Sequence, residues 1–120
     1  MIQRAKPYNI NSNNSKPLKK KAILIGAEFS SSGSTPIDSS MQELKSLAET
    51  AHYKPAASIF QKRATVNPKT FIGKGKVEEV KQVVRHHSAD VVIFDENLSP
   101  AQNRNLEIIL KCRVIDRSWL

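Results

Sequence analysis

Residues 91–102 read VVIFDENLSPAQ, and this stretch decides the fold that the sequence predicts. Val91–Phe94 is a continuous apolar run, as expected of a strand that is covered on both faces. After a polar break, Ser99 and Gln102 have the spacing of a capping box around Pro100, a residue favoured in the first turn of a helix. A buried strand that leads into a capped helix is the repeating unit of a parallel α/β sheet.

The same alternation continues in both directions from this unit. Apolar runs predict further strands at residues 22–25, 56–60 and 113–116. Apolar residues at helical spacing predict a helix that begins at a second capping box, Ser40 to Glu43, and another that runs on from Val77. The order β-α-β-α-β-α-β implies right-handed crossovers. It predicts a small three-layer α/β domain, with a four-stranded parallel sheet and helices on its faces.

The charge is unevenly placed along the chain. Its net value is +8, but six basic residues precede the first acid, which leaves 13 basic against 11 acidic residues from residue 22 onward. Residues 1–20 offer almost nothing to a core and are predicted to be a disordered basic arm, followed by one domain at 21–120. With no apolar run near the roughly 18 residues of a membrane helix and no secretory signal, no membrane span and a cytoplasmic location are predicted.

One edge of the predicted sheet is the candidate site, because ligands bind at the carboxyl ends of parallel strands. The segments that meet there are 26–39, which includes a long polar loop at 28–39, then 61–74, 95–98 and 116–120. The predicted RNA- or anion-binding residues are Lys62, Arg63, Gly73, Lys74, Gly75 and Lys76. Glycine lets a backbone approach a ligand closely, and a helix start attracts phosphate. Residues assigned a supporting role at this edge are Gln61, Asp95, Asp116 and Arg117.

The magnitude of a helix-start interaction favours an extended ligand. One exposed helix N-terminus contributes only about 0.3–1 kcal/mol toward a negative charge. An RNA backbone engages several cations at once and releases counterions at each contact, so RNA fits better than a free nucleotide. A second reading stays open, in which Gly73 and Gly75 serve only a tight turn from loop to helix.

Other chemistries find little support. The nucleotide loop Gly-x-x-x-x-Gly-Lys-Ser/Thr and the dinucleotide fingerprint are both missing. His86 and His87 are adjacent and would point about 100° apart on a helix, so no metal site is predicted. Asp95 and Asp116 are acid–base candidates, but carboxylates at strand ends commonly cap the next helix, and catalysis is not predicted. The single cysteine, Cys112, excludes an internal disulfide and is predicted to be buried and inert.

Several segments together resemble the amino-terminal domain of the HflX GTPases, from about Lys21 to Arg117. The segments that carry the resemblance are Gln61-Lys62-Arg63, residues 71–79 (FIGKGKVEE), Val92-Ile93-Phe94-Asp95, residues 98–102 (LSPAQ), Arg104-Asn105-Leu106-Glu107 and Val114-Ile115-Asp116-Arg117. The resemblance implies a parent in which this domain precedes a helical hairpin and a GTPase domain. The family binds the large ribosomal subunit and is associated with ribosome splitting and rescue. It therefore implies ribosomal RNA as the partner, with GTP and magnesium expected only in the GTPase domain and no cofactor or catalysis in this chain.

The sequence departs from the family pattern at two places. His52 stands where the family usually has glycine, and Ser118-Trp119 stands where Thr-Gly is usual. The large apolar residues Trp119 and Leu120 suggest a cut within a longer protein. Two alternatives to RNA binding also stay open: docking on the parent's own GTPase domain, and a small nucleotide-binding enzyme that uses Asp95 or Asp116 beside Lys74.

Overall fold

The computed structural model describes residues 19–29, 37–63 and 66–120, with an alternating order of strands and helices. The elements are β1 (Lys20–Phe29), α1 (Ile37–Thr50), β2 (Tyr53–Arg63), α2 (Lys74–His87), β3 (Val91–Phe94), α3 (Pro100–Leu110), β4 (Arg113–Asp116) and a 3-10 turn (Arg117–Trp119). The predicted order of elements is confirmed. The predicted arm at 1–20 lies outside the described residues except for its last two positions.

The strands form one parallel sheet in the order β2-β1-β3-β4. The predicted four-stranded α/β sheet is therefore confirmed, and the structure adds the strand order. In the register, Ile25 lies beside Phe94, and Phe94 lies beside Asp116. Strand β2 contains an irregularity, because its pairing with β1 shifts between Ala22 and Ile23.

Successive residues of the central strand β1 build two separate cores, since side chains alternate between the faces of a sheet. On one face Ile23 and Ile25 pack with Val80 of α2. On the other face Leu24 packs with Leu44 of α1. All five side chains are less than 2% exposed. Full burial of one such side chain contributes about 1.5–3 kcal/mol, so both cores support the predicted three layers.

The start of α3 lies where the sequence predicts it. Ser99 Oγ accepts from Gln102 N at 3.1 Å, and Ser99 N donates to Gln102 Oε1 at 2.9 Å. Pro100 begins the helix, and Leu106 and Leu110 are buried beneath it. Local chemistry alone fixes this boundary, because both partners of the capping box lie within four residues.

The start of α1 differs from the prediction. The helix begins at Ile37, so Ser40 and Glu43 lie inside it and do not form its capping box. Ser40 Oγ instead donates to Asp95 Oδ2, and Glu43 Oε1 accepts from Arg117 Nη2. Partners far away in the sequence thus engage both side chains. The predicted loop 28–39 is correspondingly shorter, because β1 continues to Phe29; residues 30–36 lie outside the described part.

The boundaries of the basic segment also differ from the prediction. Strand β2 runs to Arg63 because it pairs with β1 along the whole of β1, and Lys62 is the Cα partner of Glu28. Residues 61–63 therefore belong to the strand and not to the loop that follows it. Helix α2 begins at Lys74, so Gly75 lies in its first turn.

Helix length excludes a bilayer span by the described helices. They contain 14, 14 and 11 residues, whereas crossing a bilayer takes about 20 apolar residues. Within 19–29, 37–63 and 66–120, no helix is long and apolar enough to cross a membrane.

The strand order creates a crevice between β1 and β3. From β1 the chain turns toward α1 and β2, whereas from β3 it turns the other way, toward α3 and β4. The carboxyl ends of these neighbouring strands are therefore a topological switch point, where doubly wound sheets bind ligands. Asp95 follows β3 at this point.

Candidate nucleic-acid interface

The predicted binding segment has three parts: the end of β2, a loop at residues 66–73 and the first turn of α2. Gln61 Oε1 accepts from Gly73 N at 3.0 Å and joins the end of β2 to the last residue of the loop, directly before α2. Lys62 and Lys74 each follow one member of this hydrogen bond, and both side chains are exposed. We call Lys62, Lys69, Lys74 and Lys76 the carboxyl-edge lysines.

The loop is closed by its own hydrogen bonds. Asn67 Oδ1 accepts from Lys69 N at 2.8 Å and from Thr70 N at 3.3 Å, as in an Asx turn. Asn67 and Phe71 exchange two backbone hydrogen bonds, at 3.1 and 2.8 Å. The loop therefore has a defined shape that presents the exposed Lys69 at its tip.

Helix α3 holds the loop from outside. Gln102 Nε2 donates to Asn67 O, and Asn105 Nδ2 donates to Lys69 O, both at 3.1 Å. Phe71 has a left-handed backbone (φ 68°), which bulky residues rarely adopt. Its ring is only 6% exposed and packs edge-to-face on Phe94, with 6.2 Å between ring centroids. Burial of the ring offsets the backbone strain, so the loop is preorganised.

The start of α2 lacks the usual stabilising groups. Its N-cap is Gly73, no side chain caps it, and its first turn contains no acid. Lys74 and Lys76 lie at the positive end of the helix dipole, an unfavourable place for a cation. Lys76 Nζ contacts Glu79 Oε1 at 2.9 Å, which neutralises part of its charge. An anion at this position would relieve the unfavourable charge and find free N–H groups.

The backbone gives no conformational reason for glycine at positions 73 and 75. Gly73 has φ −67° and ψ 158°, which any residue adopts. No glycine in the described part has a positive φ. A Cβ atom on Gly75 would meet nothing within 4 Å. The backbone angles therefore do not support the reading in which these glycines serve only a tight turn.

Most predicted binding residues come together at one edge: Lys62, Gly73, Lys74, Gly75 and Lys76. Arg63 ends β2, and its side chain lies outside the described part. The structure adds Lys69, which the site prediction omitted. The signal for Lys69 is the Asn67-Pro68 pair, since these residue types mark a tight turn that displays the next side chain. Whether these residues contact RNA stays a prediction.

The supporting residues Asp95 and Arg117 form a network with α1 at the switch point. Arg117 Nη1 donates to Asp95 Oδ1 at 2.7 Å. Asp95 Oδ2 accepts from Ser40, and Arg117 also pairs with Glu43. The Asp95 side chain is only 5% exposed. Both of its oxygens have protein partners, and the network fastens α1 to the carboxyl ends of β3 and β4.

The carboxyl groups at the switch point hold protons more tightly than usual. Burial raises the pKa of Asp95 above its ordinary value of 3.8, while the Ser40 hydroxyl and the Arg117 guanidinium lower it. Partial desolvation also raises the pKa of the neighbouring Glu96, and the Asp95 charge adds to that increase. Such groups are acid–base candidates. Here, however, the internal partners of Asp95 account for its position.

Asp116 has an equally internal set of contacts. Its Oδ2 accepts from Leu98 N at 2.9 Å, and its Oδ1 accepts from Ser118 N at 3.1 Å. It therefore caps the 3-10 turn and fixes the connection from β3 to α3. Gln61, through Gly73, is likewise bound within the protein. A ligand contact by any of these residues stays a prediction.

The thiol of Cys112 is unreactive at neutral pH. Burial, together with the smaller effects of the Glu107 and Asp90 carboxylates, raises its pKa to about 11. A protonated thiol is a poor nucleophile. The side chain is half-buried, which is less than the predicted full burial.

The described residues do not fit a GTP–magnesium site. No group of three or more His, Cys, Asp or Glu side chains in the described ranges could hold a metal ion. A nucleotide-binding loop needs a hydroxyl residue after its lysine, but Lys74 is followed by Gly75. The Gly73 N–H already donates to Gln61 Oε1, so it is not available to a phosphate. The expectation that GTP and magnesium belong to a different domain stays a prediction.

Comparison with known proteins gives a consistent family. The family model described as "GTP-binding GTPase N-terminal" matches residues 38–120. GTPase HflX of Escherichia coli is 45% identical over 80 residues, which are 67% of this chain and 19% of that protein. GTPase HflX of Flavobacterium psychrophilum is 32% identical over 101 residues, 84% of this chain and 24% of that protein. The chain thus spans about a fifth to a quarter of the length of these relatives.

A solved structure shares the fold. The crystal structure of a mutational variant of SsGBP aligns with a TM-score of 0.60 and 26% identity, over 82% of this chain and 29% of that one. The family match includes nearly all of α1 and the whole of α2 and α3. It also includes strands β2, β3 and β4, the loop at 66–73 and the switch-point network. The chain therefore belongs to the GTP-binding GTPase N-terminal family, as an amino-terminal domain of the HflX type.

Proposed function

We propose that this chain is the ribosome-binding and regulatory domain of an HflX-type GTPase. In this proposal it contacts RNA of the large ribosomal subunit through the carboxyl-edge lysines and performs no catalysis of its own. The supporting observation is the uncapped, lysine-bearing start of α2, fixed beside the preorganised loop at 66–73.

This arrangement costs stability within the isolated domain. A cation in the first turn of a helix is unfavourable by a few tenths of a kcal/mol or more. Helix α3 of the same chain begins with a complete capping box, whereas no side chain caps α2. Departures of this kind are expected at functional sites, where a ligand supplies the missing interaction. A phosphate group would accept from the free N–H groups of α2 and neutralise Lys74.

The size of the effect indicates the class of ligand. Micromolar binding requires about 8 kcal/mol, far more than one helix N-terminus provides. Lys62 and Lys74 follow the two residues of the Gln61–Gly73 hydrogen bond, and Lys69 lies in the intervening loop, which Asn105 of α3 holds in place. A single RNA strand can therefore engage these three lysines together. Each phosphate contact with a single strand contributes about −0.7 to the slope of log K against log salt concentration.

Co-sedimentation with large ribosomal subunits tests this proposal. The wild-type chain and the pair variant Lys62→Gln/Lys74→Gln are mixed with subunits at about 100 mM KCl and centrifuged. The matched control is Lys45→Gln/Lys81→Gln, which removes two charges from the middle of α1 and α2. We expect the edge variant to lose about tenfold in affinity and the control to lose at most twofold. If both variants lose the same affinity for large subunits, RNA binding cannot be assigned to the carboxyl-edge lysines.

A groove favours docking on the parent's GTPase domain as a second candidate function. Phe60 is 43% exposed. It lines a groove of about 560 Å³ between α1 and β2, together with Met41 and Lys45. An exposed aromatic side chain in a groove is a typical anchor for a protein partner. GTP turnover by the isolated GTPase domain, measured with and without this chain, tests the idea. A change that Phe60→Ser abolishes supports docking, and an unchanged rate eliminates it.

A further inference from the structure

The opposite edge of the sheet carries a denser set of positive charges. It is formed by the amino ends of the strands and the last turns of the helices. Its exposed basic residues, which we call the amino-edge cations, are Lys19, Lys20, Lys21, Lys54, Arg85, Lys111 and Arg113. The acids at this edge are Glu49, Asp90 and Glu107. The chain thus has a basic surface that does not overlap the carboxyl-edge lysines.

The three acids offset part of the positive charge at the amino edge, but two of their carboxylates accept hydrogen bonds from the backbone. Asp90 Oδ2 accepts from the backbone N–H of Lys21 at 2.8 Å. Glu107 Oε2 accepts from the backbone N–H of Val114 at 3.0 Å. Within the described part of the chain, no ion pair joins an amino-edge cation to a carboxylate. At the carboxyl edge, by contrast, Lys76 and Arg117 are both paired with acids.

The pairing of β1 with β2 brings two of these cations together. Lys21 and Lys54 are Cα partners on neighbouring strands, which lie about 4.8 Å apart in a sheet. Like charges in directly paired positions destabilise a sheet. Lys21 Nζ donates to His87 O at 3.3 Å, which holds its charge at the end of α2. The fold thus brings two positive charges close together at the amino ends of β1 and β2.

A favourable interaction with the carboxyl end of a helix dipole explains the positions of only some amino-edge cations. Arg85 lies in the last turn of α2, and Lys111 is the C-cap of α3, where cations are favourable. Lys20 and Lys54 lie in β1 and β2, outside any helix turn, so this role does not extend to them. In the sequence, residues 1–18 precede Lys19 and contain Arg4, Lys6 and Lys16 but no acid.

We propose that the amino edge is a second RNA-binding surface, which holds a phosphate backbone through Lys20, Lys54 and their basic neighbours. Phe60 lies toward the carboxyl end of β2, and Trp119 lies against Arg113 of β4, 5.6 Å from the guanidinium carbon to the ring centroid. Strand β4 is separated from β1 and β2 by β3, so neither exposed aromatic ring lies beside Lys20 and Lys54 as an anchor for a protein partner. A polyanion binds without such anchors, since counterion release supplies its affinity. With basic surfaces at both ends of the sheet, the domain bridges two RNA segments.

The inference shares only its ligand class with the proposed function and is tested separately from it. Fluorescence anisotropy with a labelled RNA hairpin of about 20 base pairs measures binding by the full chain across a KCl series. Lys20→Gln/Lys54→Gln is compared with Lys45→Gln/Lys81→Gln, which removes the same charge. We expect the first pair to weaken binding about tenfold and to flatten the log–log salt slope by about 1.4–1.8. Lys20→Arg/Lys54→Arg keeps the charge and should bind as the wild type does.

Each other outcome is decisive. Equal affinity of Lys20→Gln/Lys54→Gln and the control pair overturns the inference, as does a wild-type chain that does not bind the hairpin. Competition by poly-glutamate as strong as that by unlabelled RNA overturns it in favour of an acidic protein partner. Urea unfolding of each variant checks that the exposed substitutions leave the fold intact. The proposed function fails in a different experiment, namely if the wild-type chain does not sediment with large ribosomal subunits.

Discussion

Arg117 Nη1 lies 2.7 Å from Asp95 Oδ1 and joins the turn after β4 to the residue after β3. The carboxylate is 5% exposed and the guanidinium side chain is 29% exposed. Through Ser40 and Glu43 the same pair holds α1 against the sheet. It therefore sets the geometry of the carboxyl edge and engages both carboxylate oxygens of Asp95 within the protein.

Removal of the guanidinium should destabilise the domain. Arg117→Met is expected to lower the free energy of unfolding by about 2 kcal/mol at pH 7, since it leaves a buried carboxylate with only the Ser40 hydroxyl. Asp95→Asn in the same chain should restore most of that loss. Urea unfolding measures both. Glu43→Gln is the control, because that side chain is 67% exposed and should cost under about 1 kcal/mol. Equal effects of Arg117→Met and Glu43→Gln would contradict the account.

The raised pKa of Asp95 should make the free energy of unfolding depend on pH. Its pKa in the folded chain is raised above 3.8, so the folded state holds this proton more tightly than the unfolded state does. Its contribution to the free energy of unfolding therefore falls as pH rises from about 4 through the folded pKa. Asp95→Asn removes that dependence, so stability of the variant minus that of the wild type should increase from pH 4 to pH 7. A decrease, measured by urea unfolding at several pH values, would show that Arg117 outweighs burial.

The fold was predictable where neighbours in sequence decide the structure. The strand Val91–Phe94 and the capping box from Ser99 to Gln102 involve only local residues, and both are confirmed. The capping box at Ser40 was wrong because Asp95, 55 positions away, binds the Ser40 hydroxyl. A proline pattern, Thr35-Pro36-Ile37-Asp38, was the better local signal for this helix.

The candidate site was predictable in composition but not in arrangement. The lysines near Gly73 are evident from the sequence, whereas the contacts of Asn105 and Gln102 with the loop depend on how α3 packs. The amino-edge cations are scattered over the chain, from Lys19 to Arg113, and only the packing of strands and helices brings them to one edge. No sequence pattern of short range contains that information.

Gly75→Ala separates binding from folding. Alanine is favoured over glycine in a helix by about 0.5–1 kcal/mol, and a Cβ here meets no atom within 4 Å. The variant should therefore unfold at a higher urea concentration. If RNA approaches this backbone closely, the same methyl group should weaken RNA binding severalfold in the anisotropy assay. A variant that is more stable and binds equally well would exclude close approach at this position.

His52 is expected to limit the stability of the domain. It follows α1 with φ 70°, a left-handed conformation that is unfavourable for any residue with a Cβ. His52→Gly should raise the free energy of unfolding by about 1 kcal/mol, because glycine adopts this conformation freely. His52→Ala keeps the Cβ and serves as the control. If thermal unfolding gives equal midpoints for the glycine and alanine variants, the backbone conformation is not the cause.

The salt dependence of binding to large ribosomal subunits tests the central claim most directly. For the wild-type chain, a plot of the logarithm of the association constant against log KCl concentration should have a slope of about −2 or steeper. In Lys62→Gln/Lys74→Gln the magnitude of that slope should be smaller by about 1.4. The control Lys45→Gln/Lys81→Gln should leave the slope unchanged. Salt-independent binding, or an unchanged slope in the edge variant, would contradict the proposal that the carboxyl-edge lysines hold ribosomal RNA.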